Sequence, residues 1–188
     1  MYGYVVNDNP SSPMENLHQL LLERHSIRRY KDQPVSADDV RTILEAALLA
    51  PSSKSARPWQ FVVVEDKATL TSLAGCKQFG AKPISSAAFA VVVTVDTTVS
   101  DVYVEDASVA ATLMHLQAAD LGIGSCWIQI RNRFAADGES SETVVRDILD
   151  IPEQFSVECI VTFGYIDEER KPVDPSKLLW EKVHIGRW

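Results

Sequence analysis

Cysteine is scarce in the chain: there are only three, Cys76, Cys126 and Cys159, with no C-x-x-C spacing among them. An odd number without paired spacing argues against a disulfide framework and against a cysteine-based metal site. The apolar neighbours of Cys126 and Cys159 mark them as buried thiols. The four histidines, His18, His25, His115 and His184, form no pair at ligand spacing backed by cysteines or carboxylates, so no metal site is expected. Positive charge is also in deficit. Lys and Arg number 18 against 26 Asp and Glu, a net charge of −8, and such a surface repels phosphate on average, so nucleic acid is excluded as a general partner. Long apolar runs are missing too: the longest, Ala87 to Val95, is broken by Thr94 and falls far short of the ~20 residues that span a bilayer. Residues 1–13 lack the basic and apolar regions of an export signal, and a cytoplasmic location is expected. With no repeat and no Gly/Pro-rich linker, one domain over residues 1–188 is expected, with a polar lead-in at 1–13 and a tail at 167–188.

What is present is patterned. Met14 to Arg24 reads as a helix carrying Leu17, Leu20 and Leu21 on one face. Ala37 to Leu49 is a second helix, opened by Ser36 with Asp39 three residues on, its apolar positions Val40, Ile43, Leu44, Ala47 and Leu48 recurring at helical spacing. Pro51 stops it, and a loop of small polar residues leads into a strand at Trp59 to Val64. Ala68 to Gly75 reads as a short helix. Ala88 to Val95 reads as a strand covered on both faces, since its apolar run barely alternates. Val102 to Leu121 is apolar nearly all round, a helix buried in the protein or at a subunit contact, ended by Gly122 and Gly124. Ser125 to Ile130 (strand), Ser141 to Leu149 (helix) and Phe155 to Tyr165 (strand) follow. The tail ends with Leu178, Leu179, Trp180, Val183, Ile185 and Trp188, too much apolar surface to leave in water, and a partner subunit is the natural cover.

Three segments could carry chemistry. In Arg24-His25-Ser26-Ile27-Arg28, an extended backbone places Arg24, Ser26 and Arg28 on one side, where they can surround a phosphate; the plain alternative is a solvated basic turn. Ala50-Pro51-Ser52-Ser53-Lys54-Ser55-Ala56-Arg57-Pro58-Trp59 can offer hydroxyl and backbone donors to a flat polar heterocycle, or be an ordinary polar loop. The third is Leu121-Gly122-Ile123-Gly124-Ser125-Cys126-Trp127-Ile128.

Together, in this order, the R-x-S-x-R, A-P-S-S-x-x-x-x-P-W and L-G-x-G-S-C-W-I elements resemble those of the nitroreductase family of FMN flavoproteins, and the tail resembles that family's phosphate-binding, subunit-embracing extension. The resemblance implies an α+β fold: a three-layer α/β/α sandwich with a mostly antiparallel sheet of four or five strands, the long helix at a homodimer contact and a C-terminal extension embracing the partner. It implies FMN at the subunit interface. Arg24, His25, Ser26 and Arg28 would bind the phosphate, with Arg170 or Lys171 closing that pocket. Pro51, Ser52, Ser53 and Ser55 would come from the other subunit, along the isoalloxazine and ribityl chain. Trp127, Ile128 and Gln129 would line the ring. Ser55 and Arg57 stand where the family often has amides, and Gln129 where glycine or an acid is frequent.

The implied activity is ping-pong transfer of electrons from NAD(P)H to a small flat acceptor such as a nitroaromatic or quinone. The flavin carries that chemistry, so no catalytic side chain is assigned. Two other readings stay open: a flavin-binding module that stores or senses FMN without turnover, and a specialised relative catalysing dehalogenation or flavin fragmentation.

Overall fold

A computed structural model describes residues 13–188. The expected lead-in, apart from Pro13, lies outside the described residues. Two compact units divide the chain, His25–Glu169 and residues 13–24 together with Arg170–Trp188.

The larger unit is built on a four-stranded sheet of order β1-β2-β4-β3, comprising β1 (Trp59–Val64), β2 (Phe89–Asp96), β3 (Ile123–Gln129) and β4 (Phe155–Tyr165). Every pairing in it is antiparallel, as in Val63↔Val91 and Val91↔Val161. β2 is central and buried on both faces, which is why its sequence is continuously apolar. Its alternate residues feed two cores. Val91, Val93 and Val95 pack with α2 (Ala37–Leu48) and α5 (Tyr103–Asp120), while Ala90 and Val92 pack with α3 (Lys67–Leu73), α4 (Pro83–Ser86) and α6 (Ser141–Leu149). The result is the three-layer α+β sandwich, with the mostly antiparallel sheet realised as a wholly antiparallel one.

Helix starts follow the local chemistry. The Ser36 Oγ accepts the backbone N–H of Asp39 at 3.1 Å and donates to the Asp39 carboxylate at 2.7 Å, closing α2. At the other end of that helix the indole N–H of Trp59 donates to the Ala47 carbonyl at 3.0 Å, which fixes the start of β1 beneath it.

Along α5, Ala107, Ala110, Ala111, Met114 and Ala118 are all buried against the sheet and α2, as expected of a helix buried within the protein, and the side left outward carries Val109 and Thr112. The alanines allow close helix-on-sheet packing. Two expectations are corrected. Gly124 does not end the helix but sits within β3, Gly122 alone adopting the left-handed conformation (φ +71°) that closes α5. Arg24 lies beyond the last residue of α1 (Pro13–Glu23). The short α4 has no counterpart in the expected elements, since four residues are too few to show a period.

In the smaller unit, Val173 donates its backbone N–H to the Leu22 carbonyl of α1 at 2.8 Å. Residues 171–188 are all exposed, Trp188 fully so, and Leu17 and Leu21 of α1 are about half exposed.

Candidate functional site

The segment after Arg24 is held against the edge of the sheet by a run of backbone bonds. Ser26 bridges Ser125 of β3, Ile27 donates its N–H to Ser125 O at 2.9 Å, Lys31 donates to Tyr165 O at 2.9 Å, and Asp167 donates to Arg29 O at 3.1 Å. Such close docking needs glycine beneath it. A Cβ on Gly124 would stand 2.9 Å from Ile27 and Ile166, and one on Gly164 2.9 Å from Tyr30. Ile27 and Tyr30 point inward and are buried, so Ser26 and Arg28, flanking Ile27, face the other way, with Arg28 exposed. The alternation read from the sequence therefore holds for these two residues. Glu168 caps the segment, its carboxylate accepting the backbone N–H of Arg28 at 2.6 Å and of Arg29 at 3.3 Å.

Tyr30 is structural. Its hydroxyl donates to Ile27 O at 2.6 Å and meets the Thr162 hydroxyl at 2.8 Å, and burial pushes the phenol well above the ordinary tyrosine range. It is a neutral hydrogen-bonding group at neutral pH, its proton committed to the Ile27 carbonyl.

The second element forms a tight turn, Ser53–Ser55, and Lys54 and Ser55 within it and Arg57 just beyond it all have positive φ (52°, 55° and 49°). Left-handed backbone without glycine costs about 1–3 kcal/mol per residue and persists only where its surroundings impose it. Arg57 donates its backbone N–H to the Ser52 Oγ at 2.9 Å, and Ser53 donates its own to the buried Asp106 carboxylate at 2.7 Å. Pro51 and Ser55 are exposed; Ser52 and Ser53 are half-buried.

On β3 the residues of the third element part company. Trp127 packs toward the α2/α5 layer, whereas Ile128 is buried in the opposite core, so only its backbone is available at the surface of the strand. The Gln129 side chain is committed internally. Its Oε1 accepts the Trp127 indole N–H at 2.9 Å, and its Nε2 is 3.2 Å from Glu158 O, Glu158 Oε1 and Arg131 O. Glu158 occupies the β-bulge where β4 shifts register against β2. The bulge turns this buried carboxylate toward Arg131, whose Nε donates to it at 2.8 Å. Lys77 donates from Nζ to Gln129 O at 3.1 Å, with burial lowering its ammonium. His115 lies behind Trp127, its Nδ1 2.7 Å from the Ser125 Oγ and its ring stacked on the indole at 6.4 Å.

In this unit the structure brings Ser26 beside Ser125, one residue from Cys126 and two from Trp127, joining the first and third elements, with His25 preceding Ser26. Arg24, Arg170 and Lys171 belong to the smaller unit; there Arg24 donates its N–H to Leu20 O at 2.8 Å, and Arg170 and Lys171 are exposed. Sequence reasoning missed Asp106, Glu158 and Lys77. Glu158 did carry a signal: a lone charge inside an apolar strand must be buried with a partner. All three thiols are buried, with Cys76 pushed up to about 11 by burial. No metal-binding cluster is present among the described residues. A separate cleft of about 350 Å³ is lined by Asp32, Val35, Glu65, Lys67 and Phe89 among others; its two carboxylates make it unfit for a phosphate, and it contains none of the expected residues.

The nitroreductase family model matches residues 21–98 and 85–165. A protein of Archaeoglobus fulgidus, provisionally named NADH dehydrogenase/NAD(P)H nitroreductase, is 33% identical over 180 residues, spanning 93% of this chain and 100% of its own length. An FMN-dependent nitroreductase structure from Clostridium difficile is 45% identical with a TM-score of 0.89, over 91% of this chain and 99% of that one. A provisionally assigned nitroreductase from Desulfovibrio desulfuricans, solved in complex with FMN, is 25% identical with a TM-score of 0.70, over 95% and 99% of the two chains. The docking of the first sequence element on the third, the wholly antiparallel sandwich and this similarity along nearly the whole chain have one reading: the chain belongs to the nitroreductase family.

Proposed function

We propose that the protein is an FMN-dependent oxidoreductase that takes electrons from NAD(P)H and passes them, in a ping-pong sequence, to a small flat acceptor such as a nitroaromatic or quinone. The observation that carries this reading is the Ser26–Ser125 bridge, which sets the basic segment beside the strand bearing Trp127. The donor set fits FMN. Ser26 and Arg28 offer a hydroxyl and a guanidinium on one outward side, and phosphate takes both through charge-assisted hydrogen bonds. His25 adds to that set. When bound, FMN would supply the redox chemistry, taking up electrons and passing them on.

The protein's own part is to bind, orient and exclude water. Ser52, Ser53 and Ser55, in the rigid turn after Pro51, offer hydroxyls and amides to the polar edge of the ring and the ribityl chain. Trp127 supplies an apolar wall held in one orientation by Gln129; Ile128 and Gln129 line the ring through backbone, because their side chains are engaged elsewhere. In this reading two copies form a homodimer, the 52–57 turn serving the partner's flavin and the exposed apolar tail from Leu178 to Trp188 covering the other subunit.

Dilution tests the shared site, with mass followed by light scattering and flavin by fluorescence. Flavin and dimer are expected to be lost together. A monomer that keeps its flavin tightly overturns the interfacial site. Steady-state consumption of NAD(P)H separates turnover from storage, since a storage module leaves the nicotinamide untouched.

A further inference from the structure

Asp106 stands outside every motif read from the sequence, yet its carboxylate is only 5% exposed in the first turn of α5. Both oxygens are used. Oδ1 accepts the backbone N–H of Ser53 at 2.7 Å, and Oδ2 accepts the Ser100 hydroxyl at 2.9 Å. The Ser100 Oγ in turn accepts the backbone N–H of Val102 at 3.3 Å, so the carboxylate is tied into the turn from which the helix starts.

At the far end of the Ser53 contact lies strained backbone. Lys54, Ser55 and Arg57 account for three of the five non-glycine residues with positive φ among the described residues. The bonds from Ser55 N to Ser52 O (3.1 Å), Ala56 N to Ser53 O (2.9 Å) and Arg57 N to Ser52 Oγ (2.9 Å) close within the turn and shape it. The Ser53–Asp106 bond is of another kind, because it fastens the turn to the rigid helix layer. A backbone N–H given to a buried carboxylate is among the stronger hydrogen bonds available for that task.

We propose that Asp106 is a positioning residue of the flavin site: by holding Ser53 it keeps the 52–57 turn in the strained conformation that presents Ser52, Ser53 and Ser55 to FMN. The inference rests on the flavin reading of that turn. Charge itself is not required by the geometry. Asparagine at this position retains an acceptor for Ser53 and directs an N–H at the Ser100 hydroxyl, which can accept it, whereas alanine retains neither contact.

The test compares the wild type with Asp106→Asn and Asp106→Ala by two readouts: FMN titration followed by flavin fluorescence, and the rate of tryptic cleavage after Lys54 in flavin-free protein. Asp106→Ala is expected to weaken FMN binding and speed cleavage each by on the order of tenfold, the effect of losing one hydrogen bond to a charged group. Asp106→Asn is expected to stay within about twofold in both. Should Asp106→Ala fail to fold, Ser100→Ala removes one restraint on the carboxylate, with a smaller loss of the same two kinds expected. An alanine variant that matches the wild type in both readouts overturns the proposal, as does an asparagine variant as impaired as alanine. A wild-type protein that binds no FMN overturns the flavin reading instead, and the cleavage rates then decide by themselves whether Asp106 holds the turn.

Discussion

The ring of Tyr30 lies so close to Gly164 that a Cβ on the glycine would stand 2.9 Å from the ring's Cδ1. This contact, with that of Ile27 on Gly124, lets the basic segment lie flat against β3 and β4. Neither neighbour has room to retreat, because Ile27 is bonded through its backbone to Ser125 and Tyr30 bridges Ile166 while the next residue, Lys31, is bonded to Tyr165. Gly164→Ala is therefore expected to cost about 2 kcal/mol by overpacking, read from the urea midpoint. Gly124→Ala acts on the same segment and should also weaken FMN binding, since moving Ile27 moves Ser26 and Arg28 with it. Unchanged flavin affinity in a folded Gly124→Ala protein would separate this segment from the flavin site.

Removing the Tyr30 hydroxyl tests the other half of that dock. Tyr30→Phe leaves the Ile27 carbonyl without its 2.6 Å donor, while Thr162 keeps a 3.3 Å bond to Cys126 O. A loss of about 1–2 kcal/mol is expected by denaturation, and no change in the pH profile of any turnover near neutrality, because burial keeps the phenol neutral there.

Stability should fall at alkaline pH. Burial raises the Cys76 thiol from 9.0 to about 11, and it also raises Cys126, Cys159 and Tyr30. These groups are neutral when folded, and the unfolded chain releases its protons at lower pH. Their stabilising effect is therefore fully present below the ordinary thiol value and is lost as pH rises through it toward the folded values. Urea unfolding followed from neutral pH to about pH 10.5 should show this decline, with a shallower slope in Cys76→Ala. Equal slopes in the two proteins would contradict the assignment.

Arg131→Ala strands the Glu158 carboxylate inside the protein with Gln129 as its remaining side-chain partner. A destabilisation of about 3 kcal/mol is expected. Because Gln129 also holds the Trp127 indole, the near-ultraviolet circular dichroism of that tryptophan should change in the folded variant. A variant that loses stability with an unaltered tryptophan signal would show that the network does not orient the indole.

Much of the fold was legible because its signals are local. The helix Ser141–Leu149 and the strand Phe155–Tyr165 have the bounds their periodicity implied, and Ser36 caps α2 as the sequence indicated. The roles of Ser26 and Arg28 as an outward pair also followed from alternation around Ile27. What sequence could not supply was long-range: that Gly124 exists to admit Ile27, that Glu158 falls on a bulge and faces Arg131, and that Asp106 reaches back to Ser53. Those pairings are set by sheet register and by the meeting of distant loops, which leave no period in the chain. The contact of the Gln129 side chain with Glu158 was hidden for the same reason, since the two become neighbours only when β3 and β4 pair.

The most direct test of the proposed function is an absorption spectrum of the purified, FMN-reconstituted protein under anaerobic addition of NADH and then NADPH, followed by a nitroaromatic or quinone. The expected result is a bound flavin whose visible band bleaches with at least one nicotinamide and returns with the acceptor. A bound flavin that neither nicotinamide bleaches, or a protein that takes up no FMN, would contradict it.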